Sequence, residues 1–273
     1  MNNAPKLTDE TGLRRHRARA RRDIADFLHL AAKDELEDRL SVVNKTFTSP
    51  LIVSGFPEIW ADFLPQAKVI EDTEFLDVPA ESYDLAIHAL ALHWANDPVG
   101  QLIQCRRAMK PDGLFLAVLF GGQTLNELRS SLAQAEASVT GGLSPRVAPM
   151  AEIRELGGLL QRAGFTLPVA DSVPFHVTYE SAFDLMKDLR AMGETNALNA
   201  RSRVPTKRAI LKKAAEIYAA NFGTSDGRIS ASFEMIFLAG WSPHASQPKP
   251  LRPGSAQARL SDALGVPENM LKH

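Results

Sequence analysis

The chain has 273 residues, a formal net charge of -1, 45 % hydrophobic residues and 23 % charged residues, which are ordinary values for a globular protein. Its single cysteine, Cys105, excludes a disulfide framework within the chain and argues against a cysteine-based metal site. No apolar run reaches the ~18 residues that span a bilayer. We therefore expect an intracellular, cytoplasmic protein without a membrane span, with a peripheral position at the inner membrane as an alternative.

The first 48 residues predict a polar tail followed by a helical region. Residues 1–12 are polar and show no periodic pattern, which predicts disorder. Apolar residues from Leu13 to Val43 recur at helical spacing, and we expect a break in the helix near Lys33. We assign residues 1–48 to a separate N-terminal region.

Basic residues are concentrated at the start of this region, at Arg14, Arg15, His16, Arg17, Arg19, Arg21 and Arg22. A mitochondrial presequence is poor in acids, but Asp9 and Glu10 precede these arginines. A nucleic-acid partner is not expected, because the total charge is near zero and aromatic residues are not interleaved with the arginines. The favoured interpretation is a solvated helix whose arginines pair with Asp23 and Asp26 at i,i+4 spacing.

Residues 49–120 predict strands that alternate with helices. Two of these strands are continuous and apolar enough to be buried on both faces, and a turn is expected at Lys110–Gly113, where a proline fixes φ and a glycine accepts positive φ. This order predicts an α/β fold with a parallel sheet covered by helices. The expected strands are Pro50–Ser54, Ala67–Glu71, Tyr83–Leu90 and Leu114–Phe120, and the expected helices are Pro57–Leu64 and Pro98–Met109.

The second half predicts more helices and two further strands. Thr124 and Glu127 have the spacing of a capping box, and Gly164 is placed to end a helix. We assign 49–241 to one domain with helical insertions at about 124–222, and 242–273 to an extended tail. The expected helices are Thr124–Val139, Met150–Ala163, Ser181–Met192 and Thr206–Phe222, and the strands are Val169–Tyr179 and the end of Ile229–Trp241.

Three segments in order resemble the class I S-adenosylmethionine (SAM)-dependent methyltransferases, namely Asp72–Leu76 with Tyr83–Ile87, Leu92–Trp94 with Asp97–Pro98, and Met109–Leu116. The resemblance implies a Rossmann-like class I methyltransferase fold with SAM as the cofactor. It implies that Asp72 and Thr73 lie beside the adenine, and that Gly55, His88 and Ala89 are the remaining cofactor contacts.

Within this superfamily, the chain from Leu13 to Trp241 is most similar to the mitochondrial respiratory complex I assembly factors of methyltransferase fold and their alphaproteobacterial relatives. The resemblance implies a role in maturing an iron–sulfur subunit of NADH dehydrogenase, by hydroxylation of an arginine rather than by methyl transfer. A more distant similarity is to the methyltransferase of biotin synthesis that acts on an acyl-carrier-protein thioester. The closer resemblance is carried by Leu90–Trp94, Phe120–Arg129, Ser144–Pro149 and Leu189–Asn196.

The chain departs from the superfamily in the half that holds SAM. The glycine-rich turn after the first strand reads Ser54-Gly55-Phe56-Pro57, so a single glycine remains, a proline removes a backbone donor, and an acid is missing. The interval from Leu64 to Asp72 has room for one strand only, so a whole strand–helix unit is missing, with the carboxylate that grips the ribose. Three SAM-holding features are therefore lost together.

The remaining candidate residues follow strands of the predicted sheet at its carboxyl edge, where ligands bind in such folds. His93 is a candidate general base, and Trp94, Gly121 and Gly122 are candidate contacts for a substrate or partner. The alternative is that Trp94 packs, His93 orders its loop and the glycines form a turn. We expect Glu127 and Arg129 to face solvent. Two functions stay open: an assembly factor that binds a protein partner, and a SAM-dependent methyltransferase acting on a small molecule or a thioester.

Overall fold

Six strands form one mixed sheet in the computed structural model, which describes residues 6–248. The strand order is β2-β1-β3-β4-β6-β5. Strands β1 to β4 run parallel to one another, and β6 lies between β4 and β5 and is antiparallel to both. The strands are β1 (Pro50–Ser54), β2 (Lys68–Glu71), β3 (Tyr83–Ala89), β4 (Met109–Phe120), β5 (Thr166–Tyr179) and β6 (Ile229–Trp241).

Helices cover both faces of the sheet, because successive side chains of a buried strand point to opposite faces. On β3, Leu85 and Ile87 pack with α2, α5, α7 and α8, whereas Ala86 packs on the other face with α4 and α6. Cys105 is fully buried on the second face. The helices are α1 (Glu10–Ala20), α2 (Phe27–Ser41), α3 (Pro57–Trp60), α4 (Pro98–Ala108), α5 (Asn126–Thr140), α6 (Ile153–Arg162), α7 (Ala182–Ala191) and α8 (Arg208–Phe222).

The sheet is short on the β1 side, as the sequence predicts. Only the four-residue helix α3 and the edge strand β2 separate β1 from the loop that carries Asp72. Beyond β2, residues 6–248 add no further strand to that edge. The predicted α/β fold and the missing strand–helix unit are therefore confirmed. Helix α3 ends at Trp60, whereas the sequence predicts a helix up to Leu64.

The expected N-terminal disorder is wrong for the part of residues 1–12 that the structure describes. Thr8 is buried and pairs with Leu198, and Asp9 caps α1 by accepting a hydrogen bond from the Gly12 N–H at 3.1 Å. The helical break lies at residues 21–26 rather than near Lys33. Asp23 and Asp26 lie beyond Ala20, where α1 ends. The ion pairs expected between these aspartates and arginines four residues earlier therefore do not form among the described residues.

Two local predictions in the second half are also wrong. Lys110–Gly113 is not a turn but part of β4, and Asp112 rather than a glycine adopts the positive φ, at 61°. The capping box of α5 is absent, because Thr124 Oγ1 bonds the backbone of Glu234 and Glu127 bonds Ser232 of β6. These two side chains therefore bond to strand β6 rather than to the start of α5, where local spacing places them. Gly164 follows α6 with φ +85°, as predicted.

The described residues up to Pro243 form one compact unit, and 244–248 belong to a second one. The division into 1–48, 49–241 and 242–273 stays a prediction, and 249–273 of the predicted tail lies outside the described residues. No helix between residues 6 and 248 combines the length and the apolar character that a membrane span needs.

Removing the Leu36 side chain tests whether α2 is held by its apolar face. Leu36 is fully buried, whereas Leu30 of the same helix is 46 % exposed. We expect Leu36→Ala to lower the free energy of unfolding by about 2–5 kcal/mol, through lost burial and a cavity, and Leu30→Ala to lower it by less than about 1 kcal/mol. Urea unfolding measures both, and equal losses would contradict the packing described.

Candidate functional site

A cavity of about 440 Å³ opens at the carboxyl edge of the parallel strands. It lies between the N-terminal helix α1, the loop after β2 and the start of α4. The structure brings five of the predicted site residues to its wall: Gly55, Asp72, Thr73, His88 and Trp94. This edge of the sheet is where open α/β folds bind ligands.

The other predicted site residues do not line this cavity. Ala89 is fully buried in the sheet beside Ser54. Gly121 and Gly122 are packed tightly, since a Cβ at Gly121 would lie 2.5 Å from Ile236 Cδ1 and one at Gly122 would lie 2.4 Å from the Glu152 carboxylate. These two glycines therefore allow strand and helix packing in this structure.

Arg17 of α1 reaches from the N-terminal helix into the cavity. Its Nη1 donates to Asp72 Oδ1 at 2.6 Å, and the two side chains are only 7 % and 12 % exposed. A Cβ placed on Gly55 would lie 2.3 Å from Arg17 Cζ, so the guanidinium rests directly against this glycine. The space in front of the first strand is thus filled by a cation of the chain itself.

The residues present do not fit the methionine half of SAM. Arg17 occupies the space that a glycine turn leaves open for a ligand, and it takes the carboxylate of Asp72. The turn also uses its own backbone groups: the Phe56 N–H donates to Ser54 Oγ at 3.2 Å, and Arg21 Nη2 donates to the Gly55 carbonyl at 3.1 Å. The turn after the first strand thus lacks the free space and the free backbone groups that SAM binding would need.

Glu194, which follows α7, forms hydrogen bonds with the segment that follows β3. Its Oε2 accepts a hydrogen bond from Trp94 Nε1 at 2.7 Å and lies 3.3 Å from His93 Nε2. Burial alone would raise the pKa of Glu194, but the charge and hydrogen bond of His93 keep this pKa below its usual value. The His93 side chain is only 2 % exposed and packs against Phe120, with ring centroids 4.9 Å apart.

Two buried histidines have lowered pKa values: His88 in the cavity wall and His29 beside Trp60. Burial lowers the pKa of His29 to about 4, and its Nδ1 accepts a hydrogen bond from Trp60 Nε1 at 3.1 Å. Burial likewise lowers the pKa of His88 to about 4. Gln101 lies beside His88 and counteracts this shift, yet neither ring nitrogen makes a hydrogen bond of normal geometry to a described residue. His88 is only 1 % exposed.

Sequence reasoning missed three residues of this region: Arg17, Gln101 and Glu194. A signal for Arg17 was available, because Leu13, Arg17 and Ala20 share one helical face and all three are buried. Glu127 and Arg129, expected in solvent, are partly or fully buried as well. Within the described range, no group of three or more His, Cys, Asp or Glu side chains has an arrangement that could hold a metal ion.

Comparison with known proteins identifies the family. Residues 55–117 match the family model of the methyltransferase domain. The chain is 36 % identical over 221 residues to the arginine-hydroxylase NDUFAF5 of Danio rerio, and the match covers 81 % of this chain and 68 % of that protein. The chain belongs to the NDUFAF5 family. The human member is 38 % identical over 229 residues, which cover 84 % of this chain and 66 % of the human protein.

Relatives outside the NDUFAF5 family are more distant. A malonyl-[acyl-carrier protein] O-methyltransferase from Methylovorus is 32 % identical over 197 residues, which cover 71 % of this chain and 64 % of that enzyme. Among solved structures, a methyltransferase candidate from Bacillus halodurans aligns with a TM-score of 0.50 at 15 % identity, covering 78 % of this chain and all of the other. That alignment supports the class I methyltransferase fold.

The buried histidine His29 predicts a pH dependence of stability. Between pH 6.5 and about 4 the unfolded chain binds a proton at His29 that the folded protein excludes. Because protonation favours the unfolded chain, the free energy of unfolding decreases as the pH falls from 6.5 to about 4. His29→Gln keeps an acceptor for Trp60 and cannot take up the proton. We expect its unfolding free energy to fall less than that of the unaltered protein on acidification.

Urea unfolding at several pH values measures this difference. The charged groups that act on His29 are Glu194, Arg17, Asp26 and His93, and all four are unchanged in the variant. Parallel pH profiles of the two proteins would contradict a neutral, buried His29.

Proposed function

We propose that this chain is an assembly factor of NADH dehydrogenase that binds one of its subunits and supports hydroxylation of an arginine side chain on that subunit. Membership of the NDUFAF5 family carries this proposal, since the zebrafish and human members are named arginine-hydroxylases. The chain spans about two thirds of those proteins. The bacterial cytoplasm, where such a subunit would be met before assembly, stays the predicted location.

The geometry in front of Gly55 favours this proposal over methyl transfer. A methyl donor must place its methionine part against the turn after the first strand, and Arg17 fills that space. The alternative, a SAM-dependent methyltransferase acting on a small molecule or an acyl-carrier-protein thioester, rests on the methyltransferase-domain match and on the 32 % identical relative. Both of these similarities are compatible with a retained fold whose cofactor site has changed.

His93 and Trp94 are proposed to act as a pair at the partner-binding edge. Trp94 lines the cavity, and Glu194 holds its indole. The ring of His93 is covered and directed at Glu194, so we assign it a positioning role through Glu194 and Trp94. Thr73 contributes to the same wall, next to Asp72.

A titration with SAM separates the two functions. We expect neither binding heat nor a change in melting temperature at about 1 mM SAM, because Arg17 blocks the pocket. A dissociation constant of about 10 μM, roughly -7 kcal/mol, would instead stabilise the fold by about 2.7 kcal/mol at that concentration. It would raise the melting temperature by about 5–10 °C. That shift would contradict the proposal and favour the methyltransferase.

Co-expression with NADH dehydrogenase subunits tests the proposed activity. We expect one subunit to co-purify with the chain and to carry one added oxygen atom on an arginine, detected by peptide mass spectrometry. Cells without the chain, and cells with an Asp72→Asn variant of matched expression level, serve as controls. Absence of both co-purification and modification would contradict the proposal, as would equal modification without the chain.

A further inference from the structure

The cavity beside Arg17 contains polar groups that the protein itself leaves unsatisfied. Arg17 Nε is buried without a hydrogen-bond partner in residues 6–248, although Nη1 of the same guanidinium binds Asp72. His88, which is 1 % exposed, lines the cavity next to Gln101. Among the described residues, Gln101 is the one side chain that acts on the His88 ring through a hydrogen bond, and the geometry of that bond is poor. Buried polar groups without partners are costly and rare, so these groups point to a ligand.

The walls of the cavity indicate the charge of that ligand. Three arginines line the cavity: Arg14 and Arg17 of α1, and Arg21, which directly follows this helix. The other lining residues outside α1 include no lysine or arginine but four carboxylates: Glu71, Asp72, Glu74 and Asp97. If α1 moved away from the cavity, the remaining walls would therefore attract a cation.

The shape of the site indicates a guanidinium. A planar guanidinium already lies flat against Gly55, where any larger residue would collide with it, and it donates to Asp72 at 2.6 Å. Gly193, with φ +79°, leaves room for the Arg17 stem, since a Cβ there would lie 3.3 Å from Arg17 Cγ. Arginine and carboxylate groups form stronger hydrogen bonds than neutral pairs, yet Arg17 uses only part of its donor set.

The attachment of α1 is mostly polar. Its buried apolar side chains are Leu13 and Ala20. The ion pairs of Asp9 with Arg201 and Arg203, and the hydrogen bond of His16 to the Thr195 carbonyl, hold the helix to the body. Water can replace these outer contacts, whereas the buried Arg17–Asp72 pair holds α1 until another cation pairs with Asp72.

From these observations we propose that Asp72 and Gly55 form a guanidinium-binding site in which Arg17 is a displaceable internal substitute for an arginine of the partner protein. The proposal rests on the proposed function for the identity of the partner's side chain. Partner binding would lift Arg17 out of the site, and the partner's arginine would take its place beside Asp72, His88 and Gln101. The N-terminal helix thereby keeps the site closed until an arginine-bearing partner arrives.

Binding of short peptides to an Arg17→Met variant tests the site directly. Methionine keeps an apolar stem and leaves Asp72 unpaired. The probes are a capped Gly-Arg-Gly peptide and matched peptides with citrulline or lysine in place of arginine. We expect Arg17→Met to bind the arginine peptide at least tenfold more tightly than the unaltered protein does, and more tightly than either matched peptide. Adding Asp72→Asn should abolish this gain.

Equal binding of the arginine and citrulline peptides by folded Arg17→Met, or a gain of SAM binding without a gain for the arginine peptide, would overturn the proposal. Hydrogen–deuterium exchange on the unaltered protein gives a test that needs no variant. The arginine peptide at high concentration should raise exchange in α1, whereas the citrulline peptide should not. Unchanged exchange in α1 would overturn the proposal. Neither readout depends on hydroxylation, so failure of this site and failure of the proposed activity are distinguishable.

Discussion

The buried ion pair between Arg17 and Asp72 links the N-terminal helix to the edge of the sheet where a ligand would bind. Removing one partner of a buried pair leaves an uncompensated charge in a poorly solvated place, at a cost of about 3–5 kcal/mol. The pair thus fixes α1 over the shortened half of the fold. Gly55 and Gly193 are the two positions that allow this, because each lies against the Arg17 side chain where a Cβ would crowd it.

The same interaction places a side chain of the N-terminal helix in front of the first strand of a methyltransferase fold whose sheet is retained. Without the strand–helix unit after β2, the edge of the sheet at Asp72 needs another cover, and α1 supplies it. The arginine of that cover carries positive charge into the space where a cationic cofactor would lie. The core around β3 and β4 does not depend on the cover that α1 provides, since the core residues are buried between helices on both faces of the sheet.

The regular part of the fold was predictable from local sequence, whereas the site was only partly so. Continuous apolar runs identified β3 and β4, and the short interval before Asp72 revealed the missing unit. The helical face of Arg17 could be read locally, but its partner Asp72 lies 55 residues away, and no local pattern identifies that partner. Glu127 was misassigned for the same reason, because its partner Ser232 lies on a strand 105 residues away. Side-chain partners set by tertiary packing override helix-capping preferences.

Side-chain NMR of the intact protein labelled with ¹⁵N-arginine tests the central claim most directly. The Nε–H signal of Arg17, assigned by its loss in Arg17→Met, reports whether this guanidinium is buried. The account predicts slow exchange of this hydrogen with water in the free protein, and fast exchange once the arginine peptide is bound, with no change on adding SAM. Fast exchange in the free protein, or a response to SAM instead of the arginine peptide, would contradict it.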